Sequence, residues 1–466
     1  MTWPAAGTVS APVSHRDAGG AVVSRRVLAA VLIIVALSAV VRLYDLGRYA
    51  APVFDEYYYA HDAARILAGD LGGSAAAPWR PAALRSAAHP DLGKLAIAAG
   101  IAWFGDGPWG RRVPAALAGT ALIALVFPLA RRMGLTPEWA LAALVLAASD
   151  PMLMLESRLA VLDTFVALGT AVSVYLALRY VQSGFAAGWL VACGAALGAA
   201  VASKWSGLLA VPAALLVIAP ALVRRRGAGR LAAAVAVLAG VALAVYFASS
   251  AAYFAGGHGL GEWARLQEYM ATFGWGVHGD RSFASAPATW PFLVAPIWYS
   301  WSLGPGGVSG LLAVGDLVLW WSAVAAWVVL GLLAVLRRDA RLGLAPALVA
   351  VLYLPWLLTD RQSYIYYMVP VVPFMAVLVA TALARLCGSR WDAPGMSAAP
   401  AAGPTQPGAD GEPPAEAARV AAGRRAAAWA FCAVAVVVGV LYLPFVLGVP
   451  VPYEYYDALT PFTSWK

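Results

Sequence analysis

The chain has 466 residues, of which 62% are hydrophobic and only 12% charged, with a formal net charge of +8 and a mean hydropathy of +0.74. A soluble globular chain is roughly half apolar and a quarter charged, so this balance excludes one and points to a polytopic helical membrane protein. The basic excess sits on short connections between apolar runs, where its partner is the anionic lipid surface and not nucleic acid.

Residues 1–26 form a tail that ends in Arg25 and Arg26. The apolar run after them lacks an A-x-A-like cleavage site, so 27–43 is expected as a retained first span and not a removed signal. Further runs predict spans over 113–130, 138–155, 161–180, 188–203, 206–223, 231–254, 317–336, 342–358, 364–387 and 426–448. Their lengths suit a hydrocarbon core about 30 Å thick. Eleven crossings put the termini on opposite sides. Arg131 and Arg132, Arg179, Arg224 to Arg226 with Arg230, Arg337 and Arg338, and Arg424 and Arg425 fall on alternate short connections. The positive-inside rule places these in the cytoplasm, together with the N-terminus.

The expected organisation is a cytoplasmic tail 1–26 and a transmembrane module 27–254 that contains a long external loop, 44–112. A second external loop, 255–316, precedes helices over 317–387. The Pro/Ala/Gly-rich stretch 388–425 reads as a disordered cytoplasmic linker, and 426–466 as a last span with an external tail. Cys193, Cys387 and Cys432 fall within spans, with neither a disulfide framework nor metal-ligand spacing.

Ionisable residues gather on the connections expected outside, among them Asp55, Glu56, His89, Lys94, Arg112, Arg158, Asp163, Lys204, His278 and Arg361. Such groups at a membrane are costly and by default mark a functional cavity; a solvated loop charge is the plain alternative for each one singly. The stretch "FDEYYYAHDAARILAGD", 54–70, predicts a short amphipathic helix on the membrane. Asp55, Tyr59, Asp62 and Ile66 share a face at i, i+4, i+7 spacing, and Glu56 points about 100° away. A single carboxylate at the interface suits a general base better than a two-carboxylate metal site.

Together with "AHPDLGKLAIAAGIAWFG", "GPWGRRVPAALAGT", "ASDPMLMLESRLAVLDTF", "ASKWSG" and "DRQSYIYYMVPVVPF", that stretch resembles the protein O-mannosyltransferases over roughly residues 27 to 390. The resemblance implies an all-α GT-C-type membrane bundle of about eleven helices with two long external loops. It implies transfer of mannose from polyprenyl-phosphate mannose to Ser/Thr hydroxyls of secreted proteins at the external face, by direct displacement with inversion, with delivery through the Sec translocon. The Ala-rich, Arg-over-Lys composition fits an actinobacterium, and hence a bacterial plasma membrane. Two motifs depart from the family pattern, at Asp91 and at "GDLVLWW", 315–321. The family's acidic motif maps onto Asp55 and Glu56, and its essential arginine onto Arg112, with Arg111 the neighbouring alternative.

Such chemistry needs a base for the hydroxyl, cations for the phosphate and polar groups for the sugar. Asp55 is the expected base, and Glu56 orients the loop or the sugar. Arg112, Arg158, Lys204 and Arg361 are the cations expected to neutralise phosphate; a salt bridge to Glu156 or Asp163 is the alternative for Arg158. His89, Lys94 and Asp163 complete the substrate-contacting set, with a loop or capping role the alternative for His89. No cofactor and no structural metal are expected, since no Cys/His cluster is present; a divalent ion at Asp55 and Glu56 is the variant reading. Two other classes fit in part: a related transferase that moves a lipid-linked sugar to lipid or cell-wall glycan, and a transporter or flippase. The latter should show two related halves, and no such repeat is visible.

Overall fold

The computed structural model describes residues 23–69, 88–276, 283–389 and 415–466. Helix α1 (Arg25–Leu43) starts on the Ser24 side chain, which accepts the Val27 N–H. Leu28, Leu32, Ile33 and Leu37 on it are all more than half exposed. A face this apolar suits lipid.

The first long connection folds into helices. α2 (Glu56–Leu67) is the short helix expected there, and α3 (Leu92–Phe104) is an apolar helix where the sequence suggested loop. α3 runs against α4 (Pro108–Arg132) through facing glycines: a Cβ on Gly100 would stand 2.2 Å from the Gly110 carbonyl oxygen. Membrane bundles use small residues for such close approach.

The span expected over 138–155 is broken in two. Asp150 precedes Pro151 and is therefore extended, with ψ at 118°. The chain forms α5 (Pro137–Ser149) and then α6 (Pro151–Glu156), which the Asp150 carboxylate caps at the Leu153 N–H, 2.8 Å. Helices α7 (Asp163–Gln182), α8 (Ala187–Ser203), α9 (Ala210–Arg226) and α10 (Ala228–Ser249) follow, and a 3-10 turn over Trp205–Leu209 joins α8 to α9.

The second long connection holds α11 (Ala251–Ala255), α12 (Leu260–Gly276) and an antiparallel hairpin of β1 (Ile297–Gly304) and β2 (Gly307–Ala313). This hairpin departs from the all-α expectation. Alternate residues of β1, Ile297 and Tyr299, point inward and are buried, the period-2 pattern of a half-buried strand. Its partner strand packs on α6 and on the last long helix. The chain ends with α13 (Leu317–Arg337), α14 (Ala340–Tyr353), α15 (Val372–Leu386), α16 (Ala415–Leu447) and α17 (Tyr453–Leu459). Because α16 begins at Ala415, residues 415–425 are helix and not linker. The rest of the expected linker, 390–414, lies outside the described residues, as do 1–22 of the tail and His278.

Among the described residues, eight helices are long and apolar enough to cross a membrane. The spans expected over 138–155, 188–203 and 364–387 appear as the shorter apolar helices α5, α8 and α15. The buried core runs through α4, α5, α7 and α15, where Leu122, Leu144, Val174 and Phe374 are fully buried.

Candidate active site

The start of α2 is set by an unusual backbone. Phe54 has φ 54°, the left-handed region, which costs an L-residue roughly 1–2 kcal/mol. Its ring is held in place by Tyr299, stacked at 4.2 Å and 11°, and by the edge of Tyr366 at 5.7 Å. Asp55 therefore sits half-buried at the head of the helix. Its side chain makes no capping bond to α2, and its Oδ2 accepts the Tyr366 hydroxyl at 3.3 Å.

Glu56 is the more buried of the acidic pair, at 1% exposure. Its Oε1 accepts Arg112 Nε at 2.8 Å and the Ala160 N–H at 2.7 Å; its Oε2 accepts Arg112 Nη2 at 2.7 Å and the Val53 N–H at 2.9 Å. Arg112 also donates to the carbonyls of Leu46, Tyr49 and Ala51. A guanidinium has five N–H donors, and here all are engaged. In this structure its donors go to Glu56 and to the loop backbone. Arg111, the neighbouring alternative, pairs with Asp106 at 2.7 Å.

Arg158 does not form the salt bridge to Glu156 or Asp163 that is its alternative role. It donates to the carbonyls of Val41, Arg42 and Tyr44 and so holds the end of α1. Glu156 and Asp163 do not share one helix, since α6 ends at the first and α7 begins at the second. Glu156 accepts the Tyr299 hydroxyl instead. Burial first, and the Asp163 charge after it, push the Glu156 carboxyl up from its ordinary value. Lys94 is buried against Asp62 at 2.9 Å, tying α3 to α2 and leaving the ammonium no exposed surface.

Asp163 meets Lys204 with both carboxylate oxygens, at 3.0 and 2.8 Å. The ammonium also lies over the rings of Tyr366 and Tyr367, at 5.3 and 5.0 Å. Burial alone would lower the Lys204 pKa, but Asp163 and its hydrogen bonds carry it above the ordinary value, so the side chain stays charged. Arg361 donates to the Tyr367 hydroxyl at 3.3 Å, and its Nε has no hydrogen-bond partner among the described residues.

Lys204, Arg361 and His89 line one cavity of about 250 Å³, with Trp205, Met270, Trp356 and Tyr367 as its apolar and aromatic walls. Burial, then the charges of Lys204, Lys94 and Arg361, hold His89 well below its ordinary pKa, so its ring is neutral. The cavity is thus cationic at one wall and aromatic elsewhere, a fit for an anion joined to a ring-shaped polar group. Asp55 stands behind that wall, connected to it through Tyr366, whose neighbour Tyr367 faces the cavity.

The structure therefore brings Asp55, Asp163, Lys204, Arg361 and His89 around one tyrosine pair. Glu56, Arg112, Arg158 and Lys94 brace the loops that position them. Sequence reasoning missed Tyr299, Tyr366, Tyr367 and Trp356 as site residues; the signal available was the run "SYIYYM", 363–368. Among the described residues, no three or more His, Cys, Asp or Glu side chains gather as a metal ligand set.

A family model described as dolichyl-phosphate-mannose-protein mannosyltransferase matches residues 32–255. A second, the C-terminal four-transmembrane region of protein O-mannosyltransferase, matches residues 260–465. The polyprenol-phosphate-mannose–protein mannosyltransferase of Mycolicibacterium smegmatis is 28% identical over 427 residues, covering 75% of this chain and 80% of the relative. The Mycobacterium tuberculosis enzyme of that description is also 28% identical, over 424 residues, with the same coverage. Among solved structures, the S. cerevisiae protein O-mannosyltransferase Pmt1-Pmt2 complex bound to the sugar donor superposes with a TM-score of 0.76. It is 14% identical, and the match covers 96% of this chain and 93% of that one, so it shows the fold: a GT-C-type bundle.

Proposed function

Because the chain belongs to the dolichyl-phosphate-mannose-protein mannosyltransferase family, and is an enzyme that moves mannose from a polyprenyl-phosphate carrier to protein, we propose how its residues divide that work. Asp55 is the base that takes the proton of an acceptor Ser or Thr hydroxyl. The hydroxyl oxygen bonds to the anomeric carbon as the carbon–oxygen bond to phosphate breaks. The electron pair leaves on the phosphate, which Lys204 and Arg361 receive. One displacement inverts the anomeric centre.

The observation that supports this most is the tyrosine pair shared by base and cations. Tyr366 donates to Asp55, and Lys204 lies over both rings. A carboxylate and two cations held by one rigid pair can act on the two ends of one breaking bond, and such fixed positioning is a main source of rate. Glu56, held on four N–H groups, and Arg112 fix the loop. Asp163 keeps Lys204 charged until phosphate arrives. His89, neutral, is suited to a sugar hydroxyl and not to the phosphate. No step is assigned to a metal ion.

In this reading the long connections face outside the plasma membrane, the N-terminus is cytoplasmic, and the acceptors are proteins emerging from the Sec translocon. The test is transfer of mannose from polyprenyl-phosphate mannose to a Ser/Thr peptide in membranes carrying matched amounts of enzyme. Asp55→Asn should lower the rate by roughly 10²–10⁴, the usual worth of a general base. An active Asp55→Asn enzyme would remove the base from this residue, and a lipid-linked product would remove the peptide as acceptor.

A further inference from the structure

Arg42 lies on the last turn of α1 and has no role in the transfer just described. Its side chain is fully buried. Nη1 donates to the Ser38 carbonyl and hydroxyl on the same helix. Nε and Nη2 have no hydrogen-bond partner among the described residues. A guanidinium edge left bare in apolar surroundings is costly. The charged groups that reach it are Arg158, which repels it, and Asp150, which attracts it. Asp150 is already occupied: its oxygens accept the N–H groups of Leu153 and Asp316 and the indole N–H of Trp320.

Arg42 lines a second cavity, of about 230 Å³, between α1, α5, α6 and α16. Its wall is apolar apart from Ser38, Ser149 and Arg42 itself. Two residues at its mouth, Leu37 and Val440, are 60% and 59% exposed, so the cavity opens sideways on the surface that faces lipid. It shares no lining residue with the cavity of Lys204 and Arg361.

We infer that this cavity binds an anionic phospholipid from the surrounding leaflet, with its phosphate on the free edge of Arg42 and one acyl chain along α1 and α16. A phosphate supplies two acceptor oxygens in the spacing of the guanidinium fork, and the apolar wall continues directly into the bilayer. The carrier's phosphate is assigned above to the separate cavity of Lys204 and Arg361, which leaves a leaflet phospholipid as the occupant here.

The experiment uses the full chain, extracted in mild detergent and examined by native mass spectrometry. Wild type should retain a phospholipid with a net negative headgroup. Phosphatidylglycerol, and not phosphatidylcholine, should raise its melting temperature by linkage. Arg42→Gln should bind at least about tenfold more weakly, as expected on loss of a charge-assisted contact. Val440→Trp, at a lipid-facing position that tolerates bulk, keeps Arg42 but fills the mouth and should also release the lipid. Retention unchanged in both variants would overturn the inference. So would polyprenyl phosphate displacing phosphatidylglycerol from the wild type, since the cavity would then belong to the carrier.

Discussion

At the scale of single residues, Arg112 has two roles open to it. Its type and place suggest a phosphate ligand, and its contacts with Glu56 and three carbonyls suit a brace. A buried pair left with one member is strongly destabilised, typically by about 3–5 kcal/mol, whereas replacing both members can be nearly neutral. Arg112→Met alone should therefore lower the melting temperature of the purified protein sharply, and Glu56→Gln with Arg112→Met should recover much of the loss. A stable but inactive single variant would return Arg112 to the phosphate. His89 carries a second expectation, on pH. Its pKa in the folded protein lies well below its ordinary value, which is about 6.5. Below that ordinary value the unfolded chain takes up a proton that the folded one refuses, so stability falls as the solution is acidified through it. Thermal melting across this range should show the loss in wild type and a shallower slope in His89→Gln; parallel slopes would place the proton uptake elsewhere.

At the scale of elements, the apolar segments and the short helix after Asp55 could be read because their signals are local: run length, basic flanks and a 3.6-residue period. What escaped depends on contacts far apart in the chain. Tyr366 meets Asp55 across 311 residues, and no pattern near either one announces it. The Asp150–Pro151 step is a helix boundary by its own chemistry, but the apolar run across it hid the break. The hairpin escaped because the alternation of β1 covers only Ile297 and Tyr299 before the strand runs out exposed, too short a period-2 signal to stand out. The site inherits this dependence on packing. α3 carries Lys94 against Asp62, and it keeps its place only while Gly100 admits the α4 backbone. Gly100→Val should cost about 1–3 kcal/mol by overpacking and lower both melting temperature and transfer rate. An unchanged melting curve would show that α3 can shift freely.

At the scale of the whole molecule, the number of crossings decides where the chain ends. If the eight long helices alone crossed, the termini would share a side; with α5, α8 and α15 crossing as well, they are opposed. The proposed site needs the second arrangement, because Asp163 at the head of α7 and Lys204 at the end of α8 form an ion pair and must open to one compartment, which requires α8 to cross as well as α7. A reporter active only outside the cytoplasm, fused after Lys466, should therefore be active. A signal confined to the cytoplasm would overturn the count of eleven.

The break at Asp150 reaches beyond the chain itself. α5, thirteen residues long, rises only about 20 Å at 1.5 Å per residue, and it packs against α15, fifteen residues long. Helices too short to cross alone must be kept from lipid, and both lie in the buried core. The faces left to the bilayer belong to longer helices such as α1 and α10, 19 and 22 residues long, which rise about 29–33 Å and match a hydrocarbon core about 30 Å thick. Stability should therefore be greatest in lipid of that thickness and fall, by a fraction of a kcal/mol per Å, on either side of it; a melting temperature that only rises as the chains shorten would show that lipid reaches the short pair.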